Sequence, residues 1–131
     1  MRNLLYKITS FITLACASQF ALALDCSKAS NTIEINECAS IEQKKVEAKL
    51  NAVYQRVMKM LDKEIAAGDL DKASKTTLIE AQRAWLKFRE ADCNAVYQYH
   101  ISGTIRGVMY IGCMQTHTER RIKDLEEYEK N

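Results

Sequence analysis

Residues 31–68 read NTIEINECASIEQKKVEAKLNAVYQRVMKMLDKEIAAG. Apolar side chains recur there at Ile35, Cys38, Val46, Leu50, Val53, Val57, Leu61 and Ile65. Most steps are three or four residues, the period that lines up one face of an α-helix. Asn31 at the front is a good N-cap, and Glu34 three residues on completes a capping box. Gly68 suits the left-handed cap that ends a helix. As one helix the run to Ala67 spans about 54 Å. That is long for so small a domain, which leaves room for a break near Ser40.

Working outward, "AAGDLD" at 66–71 stops one helix and starts another, with Asp69 or Asp71 as the new N-cap. The second helix carries Leu78, Ala81, Trp85, Phe88, Cys93 and Val96 inward and ends near Tyr99. "HISGTIRG" at 100–107 turns the chain. A third helix runs from about Ile105 to Tyr128, with Val108, Ile111, Thr118, Ile122 and Leu125 on one stripe. The chain has no proline, no repeats and no low-complexity linker, and short connections make consecutive helices antiparallel neighbours. The expected fold is all-α: a small bundle of three long antiparallel helices stapled by two disulfides.

At 131 residues the chain holds one domain at most. Its start reads as an export signal. Arg2 and Lys7 make a basic head, a short apolar run follows, and "ALA" at 21–23 fits a small-x-small cleavage site. The domain reading is therefore residues 1–23 as a removed signal peptide and 24–131 as a single helical domain. The run is too interrupted by Thr, Ser and Gln to span a membrane. "TLAC" at 13–16 loosely resembles a lipoprotein cleavage box, which leaves a lipid anchor at Cys16 as the minor alternative. Cleavage after Ala23 removes Arg2 and Lys7 and no acid, so 19 basic residues become 17 against 17 acidic ones. The mature chain is neutral and carries no basic excess of the kind nucleic-acid binding requires.

Four cysteines remain after such cleavage: Cys26, Cys38, Cys93 and Cys113. An even set in a small exported chain reads as two disulfides. Structural zinc is the weaker rival, because no C-x-x-C spacing occurs. Local pairing, Cys26–Cys38 with Cys93–Cys113, is the first choice, since 93 and 113 flank the turn. Spacing alone leaves a competitor open: helix one runs antiparallel to helix two, which brings Cys38 near the height of Cys93.

The second helix poses a further question in "EAQRAWLKFREADC", residues 80–93. Gln82, Trp85 and Arg89 are neighbours on one face and share it with Leu78 and Val96. Apolar neighbours on the same stripe argue for burial. The reading is a structural polar seam in which Arg89 and Gln82 bond to Asn51, Tyr54 or helix-end carbonyls while Trp85 packs. An exposed recognition patch is the alternative, since Trp and Arg are favoured interface anchors.

Taken together, "LDCSKASNTIEINECA", "LNAVY", "AQRAWLKFREADC" and "IGCMQTHTERRIKDL" resemble the LprI-like lysozyme-inhibitor family of exported bacterial proteins. The resemblance covers about residues 25–125. It rests on Cys26 and Cys38, Leu50 and Asn51 with Tyr54, Gln82, Arg83 and Trp85 with Arg89 and Cys93, and Cys113 with Thr118, Arg121 and Leu125. Family members often carry a Gly-Gly-Ser-like sequence at the last turn, where this chain reads "ISGTIRG". The resemblance implies an all-α exported protein and inhibition of lysozyme in the periplasm or outside the cell.

Catalysis finds little footing. His100 and His117 are the only histidines, and neither belongs to a nucleophile set or a metal-ligand spacing. No cofactor is implied. Three readings remain: a lysozyme inhibitor, an immunity or envelope-partner protein that binds another exported protein with no lysozyme target, and, last, a small hydrolase. Lysozymes cut with two acidic groups in a cleft, so an inhibitor needs a protruding element with hydrogen-bond donors. The turn supplies His100, Ser102, Thr104 and Arg106, with Arg106 expected as the main donor. Its bland reading is a solvated loop.

Overall fold

The computed structural model describes residues 24–130. The expected signal segment and Cys16 lie outside the described residues. Three helices follow a short 3-10 turn at Cys26–Lys28: α1 Thr32–Ala67, α2 Lys72–Tyr99 and α3 Arg106–Glu126, the last tightening into a 3-10 turn at Glu127–Glu129. The all-α reading is borne out.

Each helix end has a local cause. Asn31 Oδ1 accepts from the N–H groups of Ile33 and Glu34 at 3.1 and 3.0 Å. Glu34 reaches back one residue further than a capping box requires, accepting from the Ser30 N–H at 2.9 Å. That bond holds its carboxyl below the ordinary glutamate value. Gly68 sits at φ 85°, the left-handed cap that other residues adopt only with strain. Asp71, not Asp69, caps α2, accepting from Ala73 N–H at 2.7 Å. No break occurs near Ser40. No proline or glycine lies between Asn31 and Gly68, and α1 continues through all 36 residues.

Paired side chains give the topology. Asn36 meets Gly107, Glu47 meets Thr118 and Arg56 meets Glu129, so numbers rise together and α1 and α3 are parallel. Asp62 meets Lys75 and Glu47 meets Arg89, so α2 runs antiparallel to both. Where α3 begins, the helices come close: a Cβ on Gly107 would stand 3.1 Å from the Asn36 side chain.

The disulfides are Cys26–Cys38 and Cys93–Cys113, each with Cα atoms 5.6 Å apart. Helix register explains the choice. The Asp62–Lys75 and Glu47–Arg89 pairs place Cys38 opposite residues 98–99 of α2. It is therefore about five residues, or roughly 7.5 Å, away from the height of Cys93.

The apolar core lies in the half of the bundle remote from the α2–α3 turn. Leu50, Val53, Val57, Leu61, Leu78, Ile122 and Leu125 are buried together, flanked by Val46, Tyr54, Met58, Met60, Leu70 and Trp85. Each fully buried aliphatic side chain contributes about 1.5–3 kcal/mol. Three expected core positions are corrected: Ile35, Ala81 and Phe88 are exposed, Phe88 by 57%. The buried positions of α2 are 78, 82, 89 and 93. Phe88 stands one residue, about 100°, off that line. The turn-proximal half instead relies on both disulfides and a buried polar cluster.

Candidate functional site

The polar cluster starts from Arg89, which is only 7% exposed. Its Nη1 donates to Glu47 Oε1 and, at 2.6 Å, to Thr118 Oγ1. Thr118 also donates to the Met114 carbonyl at 2.7 Å, and Gln43 donates to Glu47 Oε1 at 2.7 Å. One turn from Arg89, Trp85 lies under the guanidinium, 4.7 Å from ring centroid to Cζ. Two turns away the buried Gln82 accepts from Arg121 Nε at 2.9 Å. One cation and one carboxylate thus tie all three helices at a single height.

Arg89 and Gln82 bond to Glu47, Thr118 and Arg121, where the sequence reading offers Asn51, Tyr54 or helix-end carbonyls. Asn51 is exposed, because it follows Leu50 and so stands off the buried stripe of α1. Tyr54 is half-buried and packs against the apolar core. Glu47 was missed. Its signal is an acid on the α1 stripe, three residues before Leu50 and at the antiparallel height of Arg89.

The α2–α3 turn is shaped by its own hydrogen bonds. The His100 N–H donates to the Val96 and Tyr97 carbonyls, ending α2, and Gly103 N–H donates to the His100 carbonyl at 2.9 Å. Arg106, the first residue of α3, does not project from the turn as expected; it folds back across it. Its Nε donates to the Tyr97 hydroxyl at 3.0 Å, and its Nη1 donates to the Gly103 carbonyl at 3.0 Å and the Ile101 carbonyl at 3.4 Å. The cause is position: a guanidinium opening α3 faces the carbonyls that the turn leaves free. Ser102 and Thr104 are exposed, whereas His100 is half-buried with its ring edge-on to Tyr99.

Around this braced turn the surface is unusually apolar. Among the described residues, Tyr99, Ile101, Ile105 and Met109 are exposed large hydrophobics of the turn and its flanks, Tyr99 by 85%. Ile33, Ile35 and Ile41 are exposed on α1, whose start lies at this same end, as the Asn36–Gly107 approach shows. Seven of the ten exposed large hydrophobics among the described residues thus sit at one end. Scattered exposed apolar residues are ordinary; here most of them lie toward the same end of the bundle.

A cleft opens at the opposite end, lined by Met60, Leu61, Glu64, Leu70, Ser74 and Tyr128. It holds a single carboxylate. Among the described residues, no helix is long and apolar enough to cross a membrane.

An uncharacterized protein of Rhizobium meliloti (strain 1021) is 32% identical over 109 residues, spanning 79% of this chain and 77% of its own. No solved structure matches. The sequence profile described as "Lysozyme inhibitor LprI" matches residues 25–125, from the residue before the first disulfide cysteine to the last buried leucine of α3. The chain belongs to the LprI lysozyme-inhibitor family.

Proposed function

We propose that this chain is an exported, non-enzymatic protein that binds lysozyme and blocks it, in the periplasm or outside the cell, using the turn end of the bundle. The observation that carries the reading is the concentration of exposed apolar side chains around a turn fixed from within by Arg106. Family membership supplies the target class. A helix pair is about 20 Å across with side chains, too broad for the floor of a substrate cleft. The turn is narrower. It offers Ile101 and Ile105 to apolar sugar-binding walls and the Ser102 and Thr104 hydroxyls to polar groups. The half-buried His100 lies at its base. Arg106 contributes the shape of the turn and the Nη2 that its internal bonds leave over. Preorganisation of this kind lowers the ordering cost of binding.

The non-enzymatic reading draws on family membership, since the family is one of inhibitors. One feature favours the envelope-partner reading: a neutral mature chain brings no long-range attraction toward a basic lysozyme.

The test is residual lysozyme activity against concentration of wild type, Ile101→Asp and Phe88→Asp. Ile101→Asp should weaken inhibition at least tenfold. Phe88→Asp, on an exposed helix face away from the turn, should leave it unchanged. Equal weakening by both would remove the turn from the mechanism. A wild type that inhibits nothing, yet retains a partner from a periplasmic extract, would support the envelope-partner reading.

A further inference from the structure

We propose that Cys93, Cys113 and His117 form a second, redox-gated site on the α2–α3 hairpin, which takes a thiophilic divalent cation such as Zn²⁺ once the Cys93–Cys113 bond is reduced. Both sulfurs and a ring nitrogen of His117 lie within 4.8 Å of one another. Cys113 and His117 stand four residues apart on α3, the spacing at which two ligands share one helix face. Cys93 meets them from α2. It is fully buried, and the other two are half-buried.

A further observation points the same way. His117 Nε2 lies 2.8 Å from Asp92 Oδ2, and Phe88 packs edge-on against the ring with centroids 5.5 Å apart. A carboxylate on a histidine nitrogen is the usual arrangement that orients a metal-bound imidazole. Two cysteines and one histidine leave a fourth position for water, with Asp92, which is half exposed, on the other ring nitrogen. Among the described residues, Cys26 and Cys38 belong to no such group, so the two disulfides are not equivalent.

The chemistry balances with a dithiol as reductant. Two electrons and two protons pass from it to the S–S bond, which breaks into two thiols while the dithiol closes to a disulfide. The cation then binds both sulfurs as thiolates and releases their two protons to solvent. Zn²⁺ holds sulfur at about 2.3 Å and nitrogen at about 2.0–2.1 Å. The two sulfurs, bonded to each other in the disulfide, must part to about 3.8 Å while the His117 ring moves in, which rotation about the side-chain bonds provides. The metal would replace the lost covalent link between α2 and α3.

The experiment titrates purified protein, reduced with a phosphine, with Co²⁺, whose thiolate complexes absorb visible light. Circular dichroism follows helicity in parallel. The expected result is one Co²⁺ per reduced chain, displaced by Zn²⁺, with helicity kept or restored on metal addition. The oxidised protein should show no such absorption. His117→Gln should weaken binding at least tenfold, and Cys26→Ser/Cys38→Ser should not. Equal affinity in His117→Gln, equal affinity in Cys93→Ser/Cys113→Ser, or a reduced chain that metal leaves unfolded would each overturn the proposal.

Discussion

Replacing Arg89 with alanine should cost this protein a large share of its stability, and the structure sets the size. Arg89 is 7% exposed and bonds to Glu47 and Thr118, with Trp85 against its plane. Removing one partner of a buried pair costs about 3–5 kcal/mol, because the other charge stays in place without compensation. The Glu47 side chain is 31% exposed, so water relieves part of that penalty and the lower end applies, about 3 kcal/mol. For a domain of this size that is a fall in Tm of roughly 12 °C. Arg89→Met keeps much of the stem and isolates the charge effect. Glu47→Gln combined with Arg89→Met removes both charges and should recover part of the loss, on the order of 1–2 kcal/mol. Thermal unfolding by circular dichroism reads all three. An Arg89→Ala protein that melts like wild type but no longer binds its target would refute the buried tie and favour a recognition patch.

Three further perturbations have definite outcomes. Reducing both disulfides should remove about 3 kcal/mol for each loop, of 12 and 20 residues' separation, and native protein should show no alkylatable thiol among Cys26, Cys38, Cys93 and Cys113 by intact mass. Four reactive thiols in native protein would contradict this. Arg106→Ala should lower stability by about 1–2 kcal/mol through lost turn bonds, with Arg106→Lys recovering little because one ammonium cannot fork between Tyr97 and Gly103; equal melting of all three proteins would show that the brace is idle. The Ser30 N–H and the Arg56 guanidinium hold the carboxyls of Glu34 and Glu129 below their ordinary values. Their stabilisation is therefore present above the ordinary carboxylate range and lost as pH falls through the depressed values. Glu34→Gln should flatten the fall of Tm with acidification, and an unchanged profile would contradict the cap's role.

Most of the fold was legible because its signals are local. Asn31, Gly68 and Asp71 mark helix ends through their own side chains or backbone freedom, and the Leu50–Leu61 stripe marks the buried face of α1. The cysteine pairing was not fixed by spacing. It depends on the height of α1 relative to α2, which only the packed bundle sets. The polar tie was half legible: Gln82, Trp85 and Arg89 stood out on α2, but Glu47 sits in a charged run with Glu42, Lys44 and Lys45 that does not set it apart. Arg106 misled for the opposite reason. Its charge and position predicted reach, whereas unpaired turn carbonyls beside it drew the guanidinium inward. Two short connections already imply that α1 and α3 run parallel, but the register between them had no local signal.

The proposed role of the turn end of this bundle is to stop lysozyme. Its most direct test measures lysozyme activity while purified wild-type protein is added in known ratio to the enzyme, with complex formation followed in the same samples by size-exclusion chromatography. Activity should fall in step with a complex of one chain per enzyme, and Ile101→Asp, folded and disulfide-bonded, should form that complex at least tenfold less readily. Full lysozyme activity at a large molar excess of wild type, with no complex eluting, would contradict it.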